Sequence, residues 1–369
     1  MDLVCERNKL NSAVNNAQKA VSERSTLPIL EGILLKTDNN TLTLTGNNTE
    51  LAIRCRIESD VKEQGSVVVS SKIFSDIVKR LPDNRVHIEY KKDHNNIVTL
   101  RSGNSKFDIL GIDPIDFPDI PKIISDNFIT ISAKKFNNMI KKTIFAVAQD
   151  ETKPVFTGEL LSIDNDEIRL VALDGFRLAI RNDKMDRNYG TNKVIIPGKN
   201  LSEISKILSD IDGDITIIFD DKSVQINTEE ITIVSRLLSG NFINYEKIIP
   251  TEYKTRVIAD TREFQDSIER ASVILRDEKS NTVKLNINNN RIEITSSSEH
   301  GSVYEEMAAN VEGLDIEIGF NSKYLIEILR AIDDESICME FTNNVGPCII
   351  KPIDGNSYIY FILPVKLAR

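Results

Sequence analysis

The stretch TLPILEGILLKTDNN, which begins at Thr26, returns as TKPVFTGELLSIDND from Thr152. Thr26/Thr152, Pro28/Pro154, Gly32/Gly158, Leu34/Leu160, Leu35/Leu161, Asp38/Asp164 and Asn39/Asn165 are identical, and ELAIR ending at Arg54 is echoed by RLAIR ending at Arg181. Copies of one sequence carry the same burial pattern and must pack in the same way. The repeat therefore restricts the chain to an architecture assembled from tandem units.

A third, fainter unit follows the same order. Each begins with a strand and then an amphipathic helix: NKLNSAVNNAQKAV from Asn8, SAKKFNNMIKKTIFAV from Ser132, and TREFQDSIERASVILR from Thr261. A second helix recurs as SKIFSDIVKRL from Ser71, GKNLSEISKIL from Gly198 and SKYLIEILRAI from Ser322. Phe74, Ile77, Val78 and Leu81 fall at helical spacing, as do Leu325, Ile328, Leu329 and Ile332, so each helix has one stripe to bury. Ser205 interrupts the stripe of the middle copy.

The remainder of each unit alternates apolar and polar residues as short strands do, for example TLTLT from Thr41, EIRLVAL from Glu167 and RIEIT from Arg291. Asp174-Gly175 between EIRLVAL and FRLAI is a hairpin-turn dipeptide. The expected fold class is α+β, with three tandem units of antiparallel sheet plus two helices. The similar closing segments FPDIP and FINYEKIIP put the boundaries near Lys122 and Glu252, giving units 1–122, 123–252 and 253–369.

At 369 residues, with 40% hydrophobic and 28% charged residues, the composition is that of a globular protein with room for two or three cores. No window approaches the ~18 apolar residues of a membrane span, and no basic patch joins an apolar run at the N-terminus, so a cytoplasmic location is expected. Cys5, Cys55, Cys338 and Cys348 lack metal or redox spacing and read as buried free thiols. His87, His94 and His300 are too dispersed for a His-based metal site. No phosphate-loop, dinucleotide, zincin or nucleophile-elbow motif occurs. Ser132-Ala-Lys-Lys135 satisfies S-x-x-K, but Ser132 is better explained as a helix N-cap.

A net charge of -10 argues at first against a polyanionic partner. The helices reverse that argument. The six helical windows hold ten more cations than acids, leaving the rest of the chain at -20. Lys134, Lys135, Lys141 and Lys142 share one window that has no acid. One such helix is an ordinary solvated face, but positive faces on equivalent helices point to a shared surface for phosphates. With no aromatic residues among the lysines, contact would be electrostatic and indifferent to base sequence.

The segments TLPIL, QDETKPVFTG from Gln149, LDGFRLA from Leu173, FNSKY from Phe320 and the ending FILPVKL resemble the bacterial DNA sliding clamp family, the beta subunit of DNA polymerase III, along the whole chain. The resemblance implies three clamp domains and a head-to-tail homodimeric ring whose helices surround duplex DNA. It implies a processivity factor with no catalytic role and no cofactor or metal, whose partners are the polymerase alpha subunit, the clamp loader, and other polymerases and repair proteins that carry clamp-binding peptides.

Residue by residue, the resemblance assigns DNA contact to Arg24, Gln149 and Lys199, beside the helix lysines Lys72, Lys79, Lys134 and Lys141. It assigns a peptide pocket to Phe156, Leu173, Gly175, Phe176, Arg177, Leu178, Ile243, Lys247, Ile248, Pro347, Leu363, Pro364 and Val365, with Asn321 and Tyr324 nearby. Arg177 is expected to bracket the peptide as well as to pair locally. The ring interface would set Lys106, Phe107 and Ile109 against Ile274 and Leu275, with Glu299, Glu305 and Glu306 facing Lys106. The family pattern usually has Thr at the Leu173 position, often His at the Phe176 position, and an end close to Leu367. Here the pocket is more apolar and Ala368-Arg369 extends beyond it.

Two other readings use other residues. A metal-dependent DNA hydrolase would use carboxylates such as Asp150 and Glu151. A scaffold that binds only proteins would use the repeats without DNA.

Overall fold

The computed structural model describes residues 1–22, 25–92, 95–150, 152–275 and 281–367. Six helices occupy the repeated positions: α1 Arg7–Gln18, α2 Ser71–Lys79, α3 Ala133–Lys141, α4 Gly198–Leu208, α5 Thr261–Ser272 and α6 Ser322–Arg330. Helix α1 buries Leu10, Ala13, Val14 and Ala17, and α6 buries Leu325, Ile328 and Leu329, as their spacing requires. Asp260 caps α5 by accepting from the Glu263 backbone N–H at 2.7 Å, and Asn321 caps α6 by accepting from that of Lys323 at 3.0 Å.

The first helix of each repeat is shorter than its sequence pattern. After Lys141 and Ser272 the chain tightens into the 3-10 turns Ile144–Ala146 and Val273–Leu275. The interruption at Ser205 also has a cause. Ser205 is buried, and its hydroxyl donates to Asn137 Oδ1 of α3 at 2.6 Å. A buried polar pair thus satisfies itself where an apolar stripe would otherwise continue.

The chain divides into two compact units, Met1–Lys134 with Lys206–Leu237, and Lys135–Ser205 with Leu238–Arg369. The middle repeat contributes strands to both. In the first unit a twelve-stranded sheet runs from the first repeat into the middle one through strands Leu51–Glu63 and Ile231–Arg236, with Ile53 opposite Ile233 and Leu51 opposite Ser235. In the second unit a nine-stranded sheet runs from the middle repeat into the third through Arg177–Lys184 and Tyr358–Ile362, with Arg177 opposite Ile362 and Arg181 opposite Tyr358. A four-stranded sheet, Gly301–Ala308, Arg291–Ser298, Thr282–Asn288 and Ile316–Asn321 in spatial order, completes the third repeat.

The duplicated motif therefore has a job. ELAIR ends in the strand that joins the first repeat to the next, and RLAIR lies in the strand that does so for the second. In both cases the strand received is the last of the following repeat. Phe74, Phe136, Phe264, Phe320, Phe341 and Tyr360 are among the fully buried side chains, each contributing roughly 1.5–3 kcal/mol by leaving water. All four cysteines are buried free thiols. Burial pushes Cys5 and Cys55 up to about 12, which keeps them protonated.

Candidate peptide and nucleic-acid interfaces

The hairpin turn at Asp174-Gly175 organises several of the residues that the resemblance assigns to a peptide pocket. Gly175 has φ +93°, in the left-handed region that glycine tolerates. Asp174 Oδ1 accepts from the backbone N–H groups of Phe176 at 2.9 Å and Arg177 at 3.0 Å, which pushes the Phe176 side chain outward. Phe176 is 59% exposed and stacks on Tyr324 with ring centroids 6.2 Å apart. The Leu363 N–H donates to the Phe176 carbonyl at 2.8 Å and that of Val365 to the Gly319 carbonyl at 2.8 Å. The C-terminal segment is thus strapped beside the turn, and Leu367 lies where a Cβ on Gly319 would sit.

Phe176, Ile243, Ile248 and Leu363 are exposed apolar residues of this second unit. Phe156 is half-buried, with its ring edge-on to Phe242 at 6.0 Å and Lys153 Nζ 5.3 Å from its centroid. Pro347, Pro364, Val365 and Tyr324 are half-buried and Lys247 is exposed. Asn321 is engaged as the cap of α6.

Three assigned residues sit deeper than expected. Leu173 and Leu178 belong to a closed core cluster with Leu160, Val171, Ile180, Tyr245 and Phe361, so they form a floor and not walls. Arg177 is only 7% exposed, and its guanidinium is committed to partners within the chain. Its Nε donates to Asp174 Oδ2 at 3.0 Å, its other nitrogens reach Glu327 and the Phe145 carbonyl, and its guanidinium lies 4.3 Å from the Tyr324 ring centroid. Arg177 supports the aromatic platform through Tyr324. One partner, Asp174, is local to the turn, whereas Glu327 in α6 and the Phe145 carbonyl after α3 are far away in sequence.

The basic helix residues separate into committed and uncommitted groups. Lys72 and Lys79 of α2, Lys141 of α3 and Lys199 of α4 are exposed, and none forms an ion pair among the described residues. Lys134 remains exposed but pairs with Asp212 at 2.8 Å. Lys135 pairs with Asp183 at 3.1 Å, and Lys142 is buried against Asp333. The acid-free window at Ser132 is thus neutralised at three of its four lysines by acids distant in sequence. Gln149 is exposed in the segment after α3, and Arg24 lies outside the described residues.

Strand Ser105–Ile112 holds Lys106, Phe107 and Ile109. Its residues 105–110 pair on one side with Ile97–Ser102, while the opposite side meets strand Ser66–Ser70 only at Gly111 and Ile112. Phe107 and Ile109 are half-buried on one face. Strand Gly301–Ala308 pairs only with Arg291–Ser298 among the described residues, leaving its other edge open. Within the chain Lys106 pairs with Asp108 at 2.7 Å, Glu305 with Arg270 at 2.7 Å, and Glu306 with Arg291 at 3.5 Å, while Glu299 is 3.6 Å from His300. Leu275 is 1% exposed in the core and Ile274 is partly buried against it, so Leu275 is a packing residue of its own unit.

Of the carboxylates weighed for hydrolysis, Asp150 accepts from the Thr152 N–H at 2.9 Å as a turn residue, and Glu151 lies outside the described residues. Among the described residues no group of three or more His, Cys, Asp or Glu could hold a metal, and no helix is long and apolar enough to cross a membrane.

Tandem units joined strand to strand, with basic helix residues and an exposed aromatic platform, define a repeat-built binding protein. The families described as DNA polymerase III beta subunit N-terminal, central and C-terminal domains match residues 1–121, 130–244 and 246–366. The chain is 37% identical to a beta sliding clamp of Staphylococcus epidermidis and 36% identical to that of Staphylococcus aureus, each over 376 aligned residues covering 99% of both chains. The crystal structure of the Bacillus subtilis DNA polymerase sliding clamp superposes with a TM-score of 0.96 at 33% identity, covering 100% of both chains. That of a Pseudomonas aeruginosa sliding clamp bound to griselimycin does so with 0.94 at 26%, again over 100% of both. The chain belongs to the DNA polymerase III beta subunit family, the bacterial sliding clamps, and is built of its three domains. Its function is that of a DNA polymerase processivity factor.

Proposed function

We propose that two copies of this chain close head to tail into a ring that encircles duplex DNA and tethers the polymerase through a peptide pocket on the second compact unit. The repeat units of this reading are 1–122, 123–252 and 253–369. The observation that carries it is the reuse of one junction. The first repeat donates strand Leu51–Glu63 to the last strand of the second, and the second donates Arg177–Lys184 to the last strand of the third. By the same rule the third repeat would donate Gly301–Ala308 to the last strand of a first repeat, Ser105–Ile112. Both of those strands carry an open edge, and unpaired backbone edges seek partners. Head-to-tail joining between identical chains closes when the rotation permits, and two copies of three domains make six.

Duplex DNA would meet Lys72, Lys79, Lys134, Lys141, Gln149, Lys199 and Arg24 through phosphates, with no base readout. Peptides of the polymerase alpha subunit, the clamp loader and repair proteins would dock against Phe176, Ile243, Ile248 and Leu363, over the floor of Leu173 and Leu178. A tether needs no catalytic group, because holding a polymerase near the primer end at high effective concentration suffices. The protein would act in the cytoplasm.

The test is topological. Protein placed by a clamp loader on a nicked circular duplex should stay bound through a high-salt wash and leave when the circle is cut once. Equal retention on linear and circular DNA would refute encirclement.

A further inference from the structure

The first compact unit contains a half-enclosed cavity of about 330 Å³, lined by Arg54, Arg56, Ile120, Pro121, Lys122, Gln225, Asn227, Thr228 and Thr232. It lies on the sheet where the first repeat's strand Leu51–Glu63 receives the middle repeat's strand Ile231–Arg236, and none of the helix lysines lines it. Register explains the lining. Arg54 stands opposite Thr232, and Thr232 opposite Asn227, so three strands present one polar row, while Arg56 follows Arg54 on the same face. Lys122 arrives from the segment that closes the first repeat.

Three cations line this cavity and no carboxylate does, in a chain of net charge -10. Arg54, Arg56 and Lys122 make no side-chain hydrogen bond or ion pair among the described residues. Asp119 acts on Arg54 only through its field, and burial together with Arg56 pulls the Arg54 guanidinium below its usual range. Neutral donors complete the lining. Thr228 Oγ1 accepts from the Ile231 N–H at 2.9 Å, leaving its hydrogen to donate, and the Asn227 oxygen accepts from Gln225 Nε2 at 3.0 Å, leaving its amide hydrogens. The repeat supplies a contrast. Arg181, which matches Arg54 in the RLAIR copy, lies 5.9 Å from the Tyr358 ring centroid, and the corresponding partner of Arg54 is Thr232.

We propose that this cavity is a phosphate site, taking a free phosphate oxyanion or the phosphate of a small nucleotide between Arg54, Arg56 and Lys122. Guanidinium forks match tetrahedral oxyanions through paired charge-assisted hydrogen bonds, and two of them at i and i+2 with a lysine opposite give several donors to one ligand. Because the lining comes from two repeats, a bound phosphate would fasten the strand junction between them.

The test uses the full-length protein. Inorganic phosphate and adenosine monophosphate are titrated by calorimetry, and thermal unfolding is followed with each against sodium chloride at matched ionic strength. Saturable binding and a raised Tm with either probe are expected. In the Arg54→Gln, Arg56→Gln double variant the affinity should fall at least about tenfold, since two charge-assisted contacts are lost. Equal affinity in the folded double variant, or a Tm rise that chloride reproduces, would overturn the site. Tighter binding of the nucleotide identifies it as the source, and equal binding identifies the free oxyanion. The double variant should retain wild-type persistence on circular DNA. If it loses DNA and phosphate together, the cavity is part of the DNA surface and the separate site is refuted.

Discussion

Arg177 and Glu327 form an ion pair across 150 positions of sequence, joining the hairpin turn of the middle repeat to helix α6 of the third. Arg177 is nearly buried, so removing either partner leaves charge in a poorly solvated place. Arg177→Met should destabilise the second unit by about 3 kcal/mol, and Glu327→Gln should do so by less because Glu327 is the more exposed partner. Thermal unfolding of the two variants measures the order. Peptide affinity should fall in Arg177→Met as well, because Tyr324, on which Phe176 stacks, loses the cation over its ring.

Glu159 is fully buried, and only one of its oxygens is partnered, by the Thr143 hydroxyl at 2.7 Å. Burial pushes its carboxyl up to about 8, with the Thr143 bond opposing weakly. Thr143 Oγ1 also lies 2.9 Å from the Met139 carbonyl, so its single hydrogen is shared between that carbonyl and Glu159 Oε2 and compensates the buried carboxyl only in part. The folded state then holds a proton that the unfolded chain releases near 4.5, and stability should fall as pH rises from 4.5 to about 8. Glu159→Gln should flatten that part of the profile. Denaturant unfolding between pH 5 and 9 compares the two, and identical slopes would show that Glu159 is ionised in the fold.

Lys141 and Lys199 are exposed and free of ion pairs among the described residues, so reversing both to Glu should weaken DNA retention equally on unrelated sequences. Losing two phosphate contacts should reduce the salt dependence of direct binding by a slope of about 2. A wild-type preference for one sequence would contradict phosphate-only contact.

Under the proposed open-edge interface, two substitutions should behave differently. Phe107→Asp should shift the protein from dimer to monomer at low micromolar concentration while each chain stays folded. Leu275→Ala should cost about 2–5 kcal/mol of unfolding stability whatever the oligomeric state, because it opens a cavity in the core. Mass in solution together with thermal unfolding separates the outcomes.

Leu363 is exposed beside Phe176 and is held by one backbone hydrogen bond, which a substitution retains. Leu363→Asp should abolish calorimetric binding of a glutamine–leucine–aromatic peptide, since a few buried anchors supply most of the affinity of such pockets. Unchanged affinity in a folded dimer would move the peptide site elsewhere.

The sequence by itself determined what is local or repeated: the apolar stripes of α2 and α6, the Asp174-Gly175 turn, the buried thiols and the repeated order of elements. Period and turn chemistry act over a few residues, so they can be read without partners. Tertiary structure alone decided the rest. It divided the middle repeat between two sheets and buried Lys142 against Asp333 at a separation of 191 residues. It put Leu275 in the core and Arg177 against the Tyr324 ring, and it gathered Arg54, Arg56 and Lys122 around one cavity. Whether a charge is free, paired or buried depends on neighbours brought together by strand register across repeats, and no short window of sequence contains them.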